Sequence, residues 1–394
     1  MAARSTEALV EPTILTWART SAGLSVEEAA QRLQTKPEKI AAWEAGHGGP
    51  SMAQLRKMVT VYRRLLSDFF LPAPPQEAPL PHDFRRLPGE VAHRYSRALR
   101  LLLRQAQERR ALAIDLAAEL DIALPDHSIP LSLTDDPERS GSSIRELLGI
   151  TLAAQHAWRD PRRSYNAWRT AIENAGVLVF QAGGVALEEI LGFSISERPL
   201  PVIGINRKLP PNGRTFTLLH EFAHVLLGTS SICDIEEEEL RPPEEQRPEV
   251  YCNAAAAAAL VPLVALRAEN LVASSHGPRE WTDDELATLG RAFGVSNEVI
   301  LRRLLTAGRT TQSFYAARRA AWRRLYEARP AKVDEDADFK RNMPQEVVSD
   351  LGRPFTRLVL ESYENSRTSL SDVSRYLGLR AQQIEKVRAL MARS

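Results

Sequence analysis

The segment "RTFTLLHEFAHVLLG" carries the most distinctive chemical pattern of the chain, two histidines four residues apart with a glutamate directly after the first. At 3.6 residues per turn this spacing places the imidazoles of His220 and His224 on one face of a helix, where both can bind one metal ion. Glu221 is then the predicted general base, which takes a proton from a water activated by the metal. The pattern predicts a hydrolytic Zn²⁺ site, and Mn²⁺ suits the same types of ligand.

A catalytic zinc site needs a third protein ligand. A glycine and third histidine that would continue the motif are absent, because Leu227 and Ser230 stand at those positions. Glu249 follows Pro248 at the start of a predicted helix, whereas the other acids lie in a proline-broken loop, which holds a ligand poorly. The acids downstream of the motif are Asp234, Glu236 to Glu239, Glu244, Glu245 and Glu249.

Length and composition limit the class of protein. A chain of 394 residues predicts two to four domains, and 44% apolar with 26% charged residues is typical of a folded globular protein. A net charge of +1 excludes binding to nucleic acid or membranes through overall charge. Cys233 and Cys252 are too few for a disulfide framework, and we interpret them as a loop thiol and a small core residue. Without a signal peptide or an apolar span, we expect a cytoplasmic protein with no membrane partner.

The secondary-structure pattern predicts an α+β fold that is mostly helical. Residues 13–71 form four or five short helices, with capping boxes at Ser25 with Glu28 and at Ser51 with Gln54. The proline-dense run "LPAPPQEAPLPHDFRRLPG" is a predicted linker, followed by helices at about 91–120 and 143–160. The runs "VLVFQ", "ILGFSIS" and "PVIGIN" predict at least three strands. "PVIGIN" is either an edge strand that pairs with an extended substrate or an ordinary buried strand.

Three segments share one order of elements, a capped short helix, a tight turn and a second helix. They are "SVEEAAQRLQTKPEKIAAW", "TDDELATLGRAFGVSNEVILRRL" and "SLSDVSRYLGLRAQQIEKV". For the second and third segments, packing within their own domain is the favoured interpretation over DNA binding, because such helical pairs are common.

The first of these segments, with "WARTSAGLSVEEAAQRL", "AAWEAG" and "LSDFFLP", resembles the XRE-type, repressor-like helix-turn-helix family. The resemblance implies a recognition helix that begins near Lys36, with Ile40 and Trp43 packed inward and DNA bound through residues 13–71. Its predicted DNA contacts are Lys36, Glu38, Lys39 and Ala42. Across residues 1–75 seven acidic residues nearly balance nine basic ones, so a helical module that docks protein remains the alternative.

Residues from about 165 to 305 resemble the ImmA/IrrE family of metallopeptidases, on "GFSISERPLPVIGIN", "RTFTLLHEFAHVLLG", "EVYCN", the small-residue helix ending in "LVP", and "LGRAFGVSNEVILRRL". The resemblance implies a gluzincin-like fold, a small twisted sheet over a helix pair, and a zinc site completed by Glu249, four residues before Asn253. It also implies cleavage of a specific repressor or antitoxin-like protein. Alanines stand where relatives usually have bulky apolar residues, so either the helices pack unusually closely or this core is weakened.

The resulting domain prediction is a helix-turn-helix domain at 1–75, a linker and helices at 76–125, an ImmA/IrrE-like metallopeptidase domain at 126–310, and a helical C-terminal domain at 311–394. The reaction would need a donor for the oxyanion, for which Tyr251 and Arg214 are the main candidates, with Tyr165 and His276 behind them. Two alternatives stay open, a DNA-binding transcription regulator whose peptidase-like domain acts as a sensor, and a toxin or antitoxin component that acts through contacts alone. The oligomeric state is not determined.

Overall fold

The computed structural model describes residues 7–75, 96–125, 129–158, 160–233, 243–327 and 342–392. By their contacts these residues form two compact units, one of residues up to Gln107 and one of residues from Glu108 onward. Within the described ranges, no helix is both long enough and apolar enough to cross a membrane.

The first unit is a small helical domain whose core includes Ile14, Leu55 and Phe69, all fully buried. Both predicted capping boxes are present, at the starts of its second and fourth helices. It consists of α1 (Pro12–Ser21), α2 (Val26–Leu33), α3 (Pro37–Glu44), α4 (Met52–Tyr62), a 3-10 helix (Ser67–Phe70) and the first part of α5 (Arg97–Glu119).

The second unit contains a four-stranded sheet with the order β1-β3-β2-β4. Its strands are β1 (Leu178–Ala182), β2 (Gly192–Ile195), β3 (Val202–Asn206) and β4 (Ser231–Cys233). β1 pairs with β3 in parallel, and β2 pairs antiparallel with both β3 and β4. "PVIGIN" therefore forms an interior strand, and the edge-strand interpretation of that run is wrong. The edge beside β2 belongs to β4, a strand too short and polar to be predicted.

Helices cover the sheet and complete the unit. The described helices after α5 are α6 (Pro137–Leu147), α7 (Leu152–Ala157), α8 (Pro161–Asn174), α9 (Pro211–Leu227), α10 (Pro243–Leu260), α11 (Leu263–Ala268), α12 (Asn270–Ala273), α13 (Asp283–Phe293), α14 (Asn297–Thr306), α15 (Gln312–Glu327), α16 (Met343–Leu351), α17 (Arg353–Glu364), α18 (Leu370–Leu377) and α19 (Ala381–Ala392). The prediction of a mostly helical α+β chain is confirmed.

One of the two helices predicted between the linker and the sheet differs from the structure. The single helix expected at 143–160 is wrong, because Gly149 adopts a φ of +64° and Thr151 caps a new helix, which separates α6 from α7. The helix expected at 91–120 corresponds to α5, and residues 91–95 lie outside the described ranges, as does most of the predicted linker.

Candidate metal centre

Helix α9 positions the two histidines of the motif deep inside the second unit. It begins with Pro211 in its first turn and ends at Gly228, whose φ of +72° gives the left-handed conformation that favours glycine. The side chains from Thr217 to Leu226 are all buried, so this helix is buried on every face. The His220 and His224 rings lie 4.8 Å apart, one turn from each other on the side that faces α10.

Helix α10 brings Glu249 to these rings. Its carboxylate spans both of them, with Oε2 at 3.3 Å from Nε2 of His220 and Oε1 at 3.3 Å from Nε2 of His224. The expectation that a helix starts directly after Pro248 is wrong, because α10 already begins at Pro243 and contains Pro248. A proline suits the first turn of a helix, so Pro243 provides the earlier start and places Glu244 in the helix rather than in a loop.

The alanine run in α10 allows this helix to pack very closely against α6. A Cβ atom added to Gly141 would lie 2.6 Å from the Cβ of Ala258 and 2.6 Å from the backbone nitrogen of Ala259. The alanines from Ala255 to Ala259 are at most 2% exposed. Of the two explanations for the missing bulky side chains, the structure supports close packing. That packing fixes the helix on which Glu249 lies.

The three side chains suit a divalent metal ion of the first transition series. Ligand bonds of about 2.1 Å in tetrahedral geometry separate neighbouring ligand atoms by about 3.4 Å, and both nitrogen-to-oxygen distances here are 3.3 Å. Nε2 of His220 is fully buried and faces the Glu249 carboxylate. Burial would raise the pKa of Glu249, but the two imidazoles hold that pKa well below its usual range, so the carboxylate is charged and able to bind a cation.

Glu221 lies next to this cluster and is held by the sheet. Ser231 in β4 donates a hydrogen bond of 2.6 Å to its Oε2, and the Ser194 hydroxyl in β2 lies 2.9 Å from that of Ser231. The other oxygen, Oε1, is buried without a hydrogen-bond partner among the described residues. Burial raises the pKa of the Glu221 carboxyl, which brings it closer to the range useful for a general base.

Further contacts orient the histidines and were not predicted. Nδ1 of His224 lies 3.1 Å from the Thr229 hydroxyl, which itself donates to the His224 carbonyl oxygen. Such a partner at Nδ1 directs Nε2 of the ring toward a metal. The ring of His220 stacks on Phe216. The left-handed Gly228 reverses the chain after α9, and this is the sequence signal that could have indicated that residues 229–233 return to the site.

Cys233 lies in β4, so the prediction of a loop thiol is wrong. Its sulfur is within 4.8 Å of ligand atoms of His220 and Glu221. Cys252 is fully buried in the main hydrophobic cluster of the second unit, as expected.

The proposed oxyanion donors have contacts outside the histidine cluster. The Tyr251 hydroxyl lies 2.7 Å from that of Ser140 in α6. Arg214 donates to the carbonyl oxygens of Leu209 and Arg207. Their roles in catalysis stay predictions.

In the first unit, α3 begins after Lys36, with Ile40 and Trp43 buried. Of the predicted DNA contacts, Lys36, Glu38 and Lys39 are exposed and Ala42 is half-buried.

A buried helix with two histidines, a glutamate from a second helix and a small sheet beneath them define a metallopeptidase-type domain, which follows a helix-turn-helix domain in this chain. Comparison with family models agrees. Residues 172–305 match the peptidase family described as the IrrE N-terminal-like domain, and residues 15–69 match the helix-turn-helix family. Both matches fit the architecture that the sequence resembles, an ImmA/IrrE-type domain with an N-terminal XRE-type helix-turn-helix. Comparisons with curated proteins and with solved structures gave no significant match.

Proposed function

We propose that this chain is a zinc-dependent endopeptidase of a regulatory system. The observation that carries the proposal is the convergence of His220, His224 and Glu249 at ligand distances beside a buried Glu221. Two imidazoles and one carboxylate form a donor set common in hydrolytic zinc sites, and Mn²⁺ is the alternative metal for the same ligands.

The chain's own residues supply binding and proton transfer. A bound zinc ion would act as a Lewis acid toward a peptide carbonyl and would lower the pKa of water. Glu221 keeps Oε2 on Ser231 and has Oε1 free of hydrogen bonds within the described structure, so Oε1 is the atom that would take the proton. The same carboxyl group would then pass the proton to the leaving amine.

Strand β4 is the element best placed to hold an extended substrate. It lies at the edge of the described sheet, and its Ser231 contacts Glu221. A peptide that paired with this edge through backbone hydrogen bonds would therefore run past the general base. Tyr251 and Arg214 remain the proposed oxyanion donors, which requires them to exchange their present partners on substrate binding.

The proposed substrate is a specific repressor or antitoxin-like protein. Support comes from the helix-turn-helix match at residues 15–69 in the same chain as the IrrE-like match, since a DNA-binding module links the peptidase to a regulatory setting. The exposed Lys36, directly before α3, and Lys39, in its first turn, support DNA as the partner of that module.

A second candidate function is a DNA-binding regulator whose peptidase-like domain senses a metal or ligand without cleaving protein. The burial of the site favours it, because His220, Glu221, His224 and Glu249 are at most 3% exposed.

One experiment separates the two functions. The full chain, loaded with zinc, is incubated with the proteins encoded beside its gene, and products are analysed by intact-mass spectrometry next to the Glu221→Gln variant. A new fragment with the wild type alone supports the peptidase. If a promoter that the chain regulates responds equally to the wild type and to Glu221→Gln, this result supports the sensor and contradicts the peptidase.

A further inference from the structure

The helix pair α18–α19 at the end of the chain repeats the pair α2–α3 of the N-terminal helix-turn-helix. Both first helices have eight residues and a capping box, at Ser25 and at Ser369. Both end in a left-handed residue, Gln34 and Gly378, and a turn of three residues leads to the second helix. The same backbone hydrogen bond closes both turns, from Thr35 to Ala30 at 2.9 Å and from Leu379 to Ser374 at 3.0 Å.

The buried positions of the two pairs also agree. Counted from the capping serine, the fourth, eighth, fifteenth and eighteenth residues are buried in both. In the first pair these residues are Ala29, Leu33, Ile40 and Trp43, and in the second they are Val373, Leu377, Ile384 and Val387. The second helix of each pair therefore crosses the first with the same face inward, which leaves the same face for a ligand.

The pair α13–α14 shows that this order of elements alone is not sufficient. It has a capping box at Thr282 and a left-handed Gly294, but its second helix also buries Val299, Leu301 and Arg303. That helix belongs to the core of the second unit. In contrast, α19 buries only Ile384 and Val387, and the side chains between them face solvent.

The exposed face of α19 has the chemistry that DNA requires. Arg380, Gln382 and Lys386 are exposed and occupy the positions of Lys36, Glu38 and Ala42 in the N-terminal pair. Arg380 and Lys386 make no ion pair with the described residues. From Arg367 to Ala392 the chain has five basic and two acidic residues, whereas the equivalent stretch of the N-terminal pair, residues 23–48, has three basic and four acidic residues.

We propose that α18–α19 is a second DNA-binding helix-turn-helix, which inserts the start of α19 into the major groove of duplex DNA. In this arrangement Arg380 and Lys386 neutralise phosphates, and the amide of Gln382 contacts a base edge, as glutamine does with adenine. The family match for DNA binding covers residues 15–69 only, so this site lies outside it.

The test uses the full chain with Lys36→Ala and Lys39→Ala as background, so that the N-terminal module contributes little. Two exposed charges are then removed from this background. The test variant carries Arg380→Ala and Lys386→Ala, and the matched control carries Arg267→Ala and Arg291→Ala. The probe is a fluorescein-labelled random-sequence duplex of about 30 base pairs, with anisotropy measured across a range of salt concentrations. Thermal unfolding curves of both variants verify that they fold alike.

The expected result is that the background variant binds the duplex and that removing Arg380 and Lys386 weakens binding at least about tenfold at low salt. The slope of log affinity against log salt should fall by about two, one for each lost phosphate contact, whereas the control keeps its slope. Equal affinities and slopes for the two variants would overturn the proposal. So would a background variant that binds no duplex, or one that prefers single-stranded RNA of the same length.

Discussion

Nε2 of His220 lies 3.3 Å from Oε2 of Glu249, although the two residues belong to different helices. This distance exists because α9 and α10 are each fixed by dense packing, α9 over the sheet and α10 against Gly141 of α6. The metal-binding geometry therefore depends on side chains that never touch the metal, and the following predictions test that dependence.

The close contact between α6 and α10 should be intolerant of a single methyl group. Gly141→Ala places a Cβ 2.6 Å from Ala258 and Ala259, so we expect a loss of about 1–3 kcal/mol in the free energy of unfolding and weaker metal binding. Gly213→Ala is the matched control, because its Cβ would meet its neighbours at an ordinary 3.5 Å. Urea unfolding measures both variants. Equal stability of the two would contradict the packing argument.

Thr229→Val should reduce metal affinity about 10- to 100-fold, because it removes the hydroxyl that orients the His224 ring through Nδ1. Thr288→Val, an exposed site on α13, serves as the control. Competition with a chromophoric chelator measures the two affinities, and an unchanged affinity in Thr229→Val would show that the hydroxyl does not position the ring.

Ser231→Ala should lower kcat about tenfold with little change in KM or in metal content, because it releases the Glu221 carboxylate. The hydrogen bond from Ser231 lowers the pKa of Glu221, so its loss raises that pKa further. A general base works only when deprotonated, and the acid limb of the rate profile should therefore move to higher pH. Ser230→Ala, whose hydroxyl contacts Ser196 instead, should keep the wild-type profile. A change in KM alone, with kcat and the pH profile unchanged, would contradict a positioning role for Ser231.

Lys36→Ala with Lys39→Ala should weaken duplex DNA binding by the N-terminal module and reduce its salt dependence, since both lysines are exposed at the start of α3. Fluorescence anisotropy on a chain that also carries Arg380→Ala and Lys386→Ala isolates this module. If affinity and salt dependence stay the same, the module docks protein rather than DNA.

The sequence predicts the elements of this site well where periodicity and chemistry coincide. The four-residue spacing of the histidines placed both on one face of α9, and the capping boxes marked the starts of α2 and α4. The choice of Glu249 depended on the incorrect start of α10 after Pro248, and the family resemblance supported the same residue.

The contacts around the three ligands were not predicted, although Gly228 marks the chain reversal behind two of them. Ser231 and Thr229 reach the site through the chain reversal at Gly228, and β4 is too short to show a strand pattern. The alanine run has almost no amphipathic pattern, because its helix is buried on several sides, and only the position of Gly141 explains it.

The most direct test of the account is the metal content of the purified full chain. The protein is exposed to zinc, the unbound zinc is removed, and the bound metal is measured by inductively coupled plasma mass spectrometry. We predict one zinc ion per chain in the wild type and in Glu221→Gln, Glu244→Gln and Glu245→Gln, and less than about a tenth of that in Glu249→Gln. No stoichiometric metal in the wild type, or full metal content in Glu249→Gln, would contradict the assignment of the site.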